Sequence, residues 1–147
     1  MNKKSTGPVL IDSSSFRFGC TEKYSDKGAF LLCKTSNPGS NELLALSLAR
    51  GETVYERIAK LARQWAGKSN EAVALGLVVG ATDSIALTKA RKAAGESVWI
   101  LAPGVGAQGG DLEEACAAGL NAEGTAMLIP VSRGISKAAD QIGRAHV

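Results

Sequence analysis

The chain has 147 residues, 45% of them hydrophobic, and its 17 basic and 14 acidic side chains give a net charge of +3. This length and composition fit one globular domain with its own core. No basic block is longer than two residues, such as Lys3-Lys4, which argues against nucleic acid or a membrane surface as a partner. No apolar run reaches the length of about 18 residues that spans a bilayer.

The three cysteines, Cys20, Cys33 and Cys116, are an odd number without a Cys-x-x-Cys pair. Neither a disulfide framework nor a zinc site fits this pattern. We therefore expect thiols that behave as small apolar residues in a reducing compartment, in a cytoplasmic protein without a bound metal.

Residues 1–28 are polar and poorly patterned, and the first clear strand covers residues 29–34. The capping box Thr53-x-x-Glu56 then predicts the start of a helix. One face of that helix carries the apolar residues Val54, Ile58, Leu61 and Trp65. A second strand is predicted over residues 75–79, followed by a helix over residues 84–94 that Gly95 ends.

The third unit begins with the apolar run at residues 98–102 and continues into a helix that starts at Asp111 and ends at Gly119. The fourth comprises a strand over residues 126–131, a loop over residues 132–134 and a helix from Ser136. Pro130 lies within that predicted strand, where it would remove a ladder N–H. Four successive βα units with continuous apolar strands predict a parallel sheet covered by helices, an α/β fold.

Two architectures fit this pattern, a small doubly wound sheet and part of an eight-stranded barrel of about 250 residues. In both, ligands bind at the carboxyl ends of the strands. The loop after the third strand, Pro-Gly-Val-Gly-Ala-Gln-Gly-Gly at residues 103–110, is rich in glycine. Glycines allow close approach of the backbone, and the free N–H groups of such a loop and of the next helix predict a phosphate site.

One motif follows or includes each strand: Thr-Ser-Asn-Pro-Gly-Ser (35–40), Gly-Leu-Val-Val-Gly-Ala-Thr (76–82), Pro-Gly-Val-Gly-Ala-Gln-Gly-Gly-Asp (103–111) and Ser-Arg-Gly (132–134). In this order they resemble orotidine 5'-phosphate decarboxylase, in the branch with the Thr-Ser-Asn-Pro-Gly-Ser signature. The resemblance covers residues 28–137. It implies the C-terminal half of a TIM (β/α)8 barrel, about four βα units, with residues 29–140 as the partial barrel.

The family converts orotidine monophosphate (OMP) to UMP and carbon dioxide without a metal or organic cofactor. By resemblance, Ser36 would hydrogen-bond the pyrimidine ring. Pro103 and Val105 would line the base pocket, and Gln108 would bridge base and phosphate.

The phosphate itself would be bound by the backbone N–H of Gly109 and by the guanidinium of Arg133. A guanidinium can bind phosphate oxygens bidentately, and each charge-assisted hydrogen bond contributes about 1.5–3 kcal/mol. Lys34, which ends a strand beside Ser36, is interpreted as a lysine at the surface or behind the substrate contacts.

The family's reacting cluster, a lysine with an Asp-x-Lys-x-x-Asp motif, does not occur in the sequence. The nearest string is Lys23-Tyr-Ser-Asp26, with Thr21 in place of the first aspartate, and we attribute its spacing to chance. No catalytic residue is assigned, and the isolated chain is expected to be inactive.

Both ends depart from the family. Residues 1–28 are expected to be truncated barrel sequence, with the true start upstream. Residues 141–147 are interpreted as a non-native tail, which sets aside His146, the only histidine.

Three functions fit these observations: a truncated decarboxylase, a non-catalytic half-barrel that binds a nucleotide or another phosphate, and a different phosphate-handling barrel enzyme such as a sugar-phosphate aldolase or epimerase. Ser36 with Gln108 favours a pyrimidine over a sugar. The implied partners are OMP and UMP, a second copy in the full-length homodimer and, in many eukaryotes, a fused orotate phosphoribosyltransferase, as in UMP synthase. Half a barrel exposes two strand edges, so the isolated chain should be sticky or dimeric.

Overall fold

A computed structural model describes residues 28–66, 74–106 and 108–136. These residues form, in chain order, β1 (Gly28–Lys34), α1 (Ser40–Leu44), α2 (Val54–Ala66), β2 (Ala74–Val79), α3 (Ser84–Ala94), β3 (Trp99–Leu101), α4 (Leu112–Gly119), β4 (Met127–Leu128) and α5 (Arg133–Ser136). None of these helices is long and apolar enough to cross a bilayer. Lys23-x-x-Asp26, the tail at residues 141–147 and His146 lie outside the described residues.

The four strands form one sheet in the order β1-β2-β3-β4, and every neighbouring pair is parallel. Each pair is joined through a helical connection, as parallel strands require. The α/β class and the four successive βα units are therefore confirmed. Within the described residues, β1 and β4 are the two edges of the sheet.

The core lies between one face of the sheet and the helices α2, α3 and α4. Leu77, Val79 and Ile100 point from the strands into this layer and are fully buried. From α3, Leu87 and Ala90 meet them with no exposed surface. Small side chains on the helices let the two layers pack closely, as expected for a parallel sheet whose strands are covered by helices.

Helix α2 begins at the predicted capping box, but its buried face differs from the predicted one. The residues expected to form that face are only half-buried: Val54, Ile58, Leu61 and Trp65. The fully buried residues are instead Tyr55, Ala59 and Ala62. Ala59 and Ala62 face the sheet, because small side chains let the helix pack close to the strands. The larger apolar side chains lie at the edges of this helix–sheet contact.

The fourth unit is shorter than predicted. Strand β4 covers Met127–Leu128 instead of residues 126–131, so Pro130 lies beyond the ladder and removes no ladder bond. Helix α5 begins at Arg133, three residues before the predicted start near Ser136, so Arg133 and Gly134 of the predicted loop are helical and Ser132 is not. Helix α1, directly after the loop at residues 35–39, was not predicted from the sequence.

Candidate active site

The loops that follow the four strands meet at one edge of the sheet. They comprise residues 35–39 after β1, 80–83 after β2, 102–111 after β3 and 129–132 after β4. Because the strands are parallel, all four carboxyl ends lie on the same side, which is where α/β enzymes bind their ligands. Every residue predicted to contact substrate lies in one of these loops or in the helical turn after it.

The glycine-rich loop after β3 is closed by its own backbone. The Gly110 N–H donates to the Gly104 carbonyl at 3.0 Å, and the Gly106 N–H donates to the Gly110 carbonyl at 2.9 Å. Gly104 has a φ of 112°, and a Cβ at this position would stand 3.3 Å from both Gln108 Oε1 and Thr82 Cγ2. Glycine is needed here for its backbone angle and for the close approach of these side chains.

A hydrogen bond links the loops after β1 and β3. The Ser36 hydroxyl donates to Gln108 Oε1 at 3.2 Å, although the two residues are 72 positions apart. Gly80 lies next to Ser36, since a Cβ at this position would be in ordinary contact with the Ser36 Cβ at 3.4 Å. The structure therefore brings together the two side chains that the resemblance assigns to the base.

A small open cavity of about 90 Å³ joins the loops after β3 and β4. It is lined by Pro103, Gly104, Val105, Gln108, Pro130, Ser132, Arg133 and Gly134. Four of the six predicted contacts thus share one cavity: Pro103, Val105, Gln108 and Arg133. Ser36 lies outside it and is connected through its bond to Gln108. The volume is below the about 300–1,000 Å³ of typical ligand pockets, so it can hold only part of a nucleotide.

Arg133 occupies the mouth of this cavity at the first residue of α5. Its side chain is exposed, and no carboxylate within residues 28–66, 74–106 and 108–136 forms an ion pair with it. A guanidinium without a carboxylate partner at a cavity suits an anion such as phosphate.

Gly109 differs from the expectation in one respect. It is exposed with a φ of 87°, but its N–H already donates to the Gly106 carbonyl at 2.8 Å. A phosphate at this N–H must therefore share or displace a bond within the loop.

The amino-acid sequence matches the model of the orotidine 5'-phosphate decarboxylase / HUMPS family over residues 15–146. The chain belongs to this family. It is 46% identical over 112 residues to orotidine 5'-phosphate decarboxylase of Dechloromonas aromatica, an alignment that covers 76% of this chain and 40% of the relative. The chain thus spans less than half the length of this curated relative.

Solved structures agree with the assignment to the decarboxylase family. Leishmania donovani UMP synthase superposes with a TM-score of 0.77 at 44% identity, covering 92% of this chain and 29% of that protein. Leishmania donovani OMP decarboxylase gives a TM-score of 0.70 at 43% identity, covering 84% and 46% respectively. The four βα units are therefore the part of the family barrel that this chain supplies.

A second, larger opening in this decarboxylase-family chain lies beside Ser36. It has a volume of about 300 Å³ between the loops after β1 and β2, and it reaches Lys34, Ser40 and Asp83. Lys34 is only 6% exposed, so of its two predicted positions, at the surface or behind the substrate contacts, the surface position is wrong. Its Nζ lies 3.3 Å from the Thr35 carbonyl and 3.9 Å from Asp83 Oδ2.

The burial of Lys34 follows from a bulge in β1. The register pairs Leu32 with Val78 but Lys34 with Val79, so one extra residue is inserted in β1. No local sequence pattern marks such a bulge. The only sequence signal for the contact of Lys34 with Asp83 is their position: Lys34 ends β1 and Asp83 lies in the loop after β2. The carboxyl ends of adjacent parallel strands lie at the same edge of the sheet.

Proposed function

We propose that the protein to which this chain belongs decarboxylates OMP to UMP and carbon dioxide, and that the chain supplies the base and phosphate contacts of that site. The observation that carries the proposal is the hydrogen bond of Ser36 to Gln108 beside the Arg133 cavity. A hydroxyl and an amide held together suit the edge of a pyrimidine, and a free guanidinium one cavity width away suits the 5'-phosphate. The proposed contacts are Ser36, Pro103, Val105, Gln108, Gly109 and Arg133.

In this proposal the chain contributes binding energy that acts away from the reacting carbon. The guanidinium and the loop N–H groups hold the phosphate, and Gln108 couples that end of the ligand to the base. Such remote interactions lower a barrier when they position the reacting part of the substrate and close the site around it. The family's reacting cluster, an aspartate that crowds the substrate carboxylate and a lysine that meets the developing ring carbanion, belongs to another part of the family barrel.

The partners follow from the same proposal. OMP and UMP are the small-molecule ligands, without a cofactor, and the complete protein forms a homodimer. The similarity to a UMP synthase supports a fusion to orotate phosphoribosyltransferase as one form of the complete protein. Its location in the cytoplasm remains a prediction from cysteine usage.

Binding of UMP to wild type and Arg133→Met tests the phosphate contact. We expect about 10- to 100-fold weaker binding of UMP to the variant by titration calorimetry, since charge-assisted bonds contribute about 1.5–3 kcal/mol and 1.4 kcal/mol is tenfold. Uridine, which lacks the phosphate, should bind both proteins equally. Lys92→Met is a matched control, because Lys92 lies in the last turn of α3, at the opposite edge of the sheet.

A parallel titration with ribose 5-phosphate separates the pyrimidine proposal from a sugar-phosphate enzyme. UMP should bind more tightly than ribose 5-phosphate, and Ser36→Ala should reduce that preference. Equal affinity of wild type for both ligands, or UMP binding that does not depend on Arg133, would contradict the proposal.

A further inference from the structure

Two polar side chains close to Ser36, those of Lys34 and Ser40, have no part in the proposed function. Both line the opening of about 300 Å³ beside Ser36, and neither lines the smaller cavity that contains Gln108 and Arg133. Lys34 is buried and Ser40 is half-buried. They therefore make no contact with a ligand in the smaller cavity, and they can affect such a ligand through the residues that they hold.

Both side chains bind the same backbone carbonyl, that of Thr35. The Ser40 hydroxyl donates to it at 2.8 Å and the Lys34 ammonium at 3.3 Å. A backbone carbonyl has two lone pairs, so it can accept both bonds at once. The Thr35 carbonyl belongs to the planar peptide unit that ends at the Cα of Ser36. Two bonds to this carbonyl therefore fix the direction in which the chain enters Ser36.

The two donors are themselves held by neighbouring elements. The Lys34 carbonyl accepts from the Gly80 N–H at 2.8 Å, which joins the end of β1 to the loop after β2. Lys34 Nζ lies 3.9 Å from Asp83 Oδ2. The other oxygen of this carboxylate, Oδ1, caps α3 by accepting from the Ala86 N–H at 2.9 Å. Ser40 is the first residue of α1. The donors are thus anchored to β2, α3 and α1.

Ser36 depends on the backbone before it for its position. It is exposed, and within the part of the chain that the structure describes its hydrogen bonding is limited to the bond with Gln108 at 3.2 Å. One neutral hydrogen bond at the surface supplies too little free energy to order a side chain together with the loop that carries it. The bonds to the Thr35 carbonyl supply the constraint that this single bond lacks.

We propose that Lys34 and Ser40 are positioning residues: by fixing the Thr35 carbonyl they hold the Ser36 hydroxyl toward Gln108, and they thereby set the preference of the site for a pyrimidine. The preference for a pyrimidine rests on the proposed function. The positioning of Ser36 does not, because it is a property of the chain without a ligand.

Nuclear magnetic resonance of the isotope-labelled 147-residue chain without a ligand tests the positioning. The side-chain amide resonances of Gln108 report whether the Ser36 hydroxyl donates to its Oε1. Ser36→Ala removes the donor and so defines the chemical-shift change that corresponds to loss of this bond. Ser40→Ala and Lys34→Met should shift the Gln108 resonances in the same direction. Ser40→Thr keeps a hydroxyl and should restore the wild-type position.

Thr88→Ala and Lys92→Met are the matched controls. The Thr88 hydroxyl also donates to a backbone carbonyl, at 2.9 Å. Thr88 and Lys92 both belong to α3, and neither lines either of the two openings. These two variants should leave the Gln108 resonances at the wild-type position.

Titration calorimetry with UMP and with ribose 5-phosphate tests the consequence for the ligand. Ser40→Ala should weaken UMP binding about 2- to 10-fold, the equivalent of one hydrogen bond, and should leave the affinity for ribose 5-phosphate unchanged. In the Ser36→Ala background, Ser40→Ala should cause no further loss, because Ser40 acts through Ser36. A purely structural role would instead lower the affinity for both ligands and would add to the effect of Ser36→Ala.

The positioning role and the proposed function fail separately. Gln108 resonances that stay at the wild-type position in Ser40→Ala or Lys34→Met overturn the role of that residue, even where UMP binds. Shifts that the α3 controls reproduce, or a loss of UMP affinity that adds to that of Ser36→Ala, also overturn it. If the resonances shift as expected but the wild type does not bind UMP, the positioning is supported and the proposed ligand contacts are contradicted. If Lys34→Met does not fold, Ser40→Ala and its rescue by Ser40→Thr decide.

Discussion

At the scale of single residues, Arg91 is a buried charge that links several βα units through hydrogen bonds at the amino ends of the strands. It is 6% exposed and donates to four carbonyls at 2.7–2.9 Å, those of Gly95, Val98, Gly119 and Ala126. Burial lowers the pKa of its guanidinium from the ordinary value, and the charge of Glu96 opposes that shift. These bonds join the ends of α3 and α4 to the starts of β3 and β4.

Replacing Arg91 should be costly because four carbonyls lose a donor together, and only that of Ala126 is known to keep another, the Ile100 N–H at 3.0 Å. A buried polar group left without a hydrogen bond costs about 1–3 kcal/mol, so we expect Arg91→Met to lower the free energy of unfolding by about 3 kcal/mol or more. Urea denaturation followed by circular dichroism measures this. Lys92→Met, an exposed neighbour on the same helix, should change stability by less than about 0.5 kcal/mol; equal effects of the two would contradict the role of Arg91.

Cys33 and Cys116 should differ in reactivity. Cys33 is fully buried, and its thiol lies 3.2 Å from the Tyr55 carbonyl, to which it donates. Burial raises the pKa of Cys33 to about 12, while Lys34 opposes the shift. Since the thiolate is the reactive form, we expect iodoacetamide at pH 8 to modify the half-buried Cys116 and to leave Cys33 intact until the chain is unfolded in guanidinium.

Peptide mass spectrometry after timed alkylation measures both rates. Modification of Cys33 as fast as Cys116 in the native protein would mean that β1 opens readily.

The burial of Cys33 also has a consequence for stability. The pKa of Cys33 is higher in the folded than in the unfolded protein. The free energy of unfolding that the neutral, buried thiol contributes is therefore fully present below the unfolded pKa of about 8.5, and it is lost as pH rises toward 12.

At the scale of elements, α2 and α4 begin where local sequence says they should. The Thr53 hydroxyl and backbone N–H both donate to Glu56 Oε2, at 2.7 and 2.8 Å. For α4, Asp111 Oδ1 accepts from the Glu114 N–H at 2.8 Å. In both caps the hydrogen-bonded residues are three positions apart, within one turn of the helix start. These helix starts can therefore be predicted from local sequence without any tertiary information.

The capping box of α2 should respond to mutation and to pH. We expect Thr53→Ala to lower the free energy of unfolding by about 1 kcal/mol at pH 7. The Thr53 hydroxyl, followed by its backbone N–H, holds the pKa of Glu56 below its usual range, and burial opposes this. Because the pKa of Glu56 is lower in the folded protein, the stabilisation by its hydrogen bonds to Thr53 is fully present above the unfolded pKa of about 4.3. This stabilisation is lost as pH falls through the folded pKa of Glu56.

The stability difference between wild type and Thr53→Ala should therefore shrink between pH 7 and pH 3, measured by urea unfolding at both. Thr88→Ala is the control. The Thr88 hydroxyl donates to the Ser84 carbonyl on the exposed side of α3. Among the contacts described, this hydroxyl has no carboxylate partner. A difference that stays constant with pH would show that Glu56 is not coupled to Thr53.

At the scale of the whole molecule, the proposed function places binding and chemistry in different parts of the barrel. The described residues contain the proposed base and phosphate contacts, and the sequence lacks the lysine and aspartate motif of the reacting cluster. We therefore predict that the isolated chain binds UMP but releases no carbon dioxide from OMP labelled at its carboxylate. Release that is abolished by Arg133→Met would contradict this and would place reacting groups within the 147 residues.

Much of the fold could be predicted because it is encoded locally. The strand before Ser36, the helix that Gly95 ends and the helix that Asp111 starts are each specified by residues within a few positions of one another. The family motifs also supplied the proposed site residues, which stay a prediction. The boundaries of the fourth unit were wrong because β4 ends where its pairing with β3 ends, which depends on the neighbouring strand and not on the apolar run around Pro130.

The sequence by itself determined the order of the four strands and of every helix except α1, the glycine-rich loop and the family, since capping, turn formation and motifs depend on residues close together along the chain. Only the tertiary structure decided which residues meet across the sheet. The bond of Ser36 to Gln108, the contact of Lys34 with Asp83 and the bonds of Arg91 to the Gly119 and Ala126 carbonyls all join segments that are distant in sequence. Their partners are set by strand register and helix packing, which no local pattern contains.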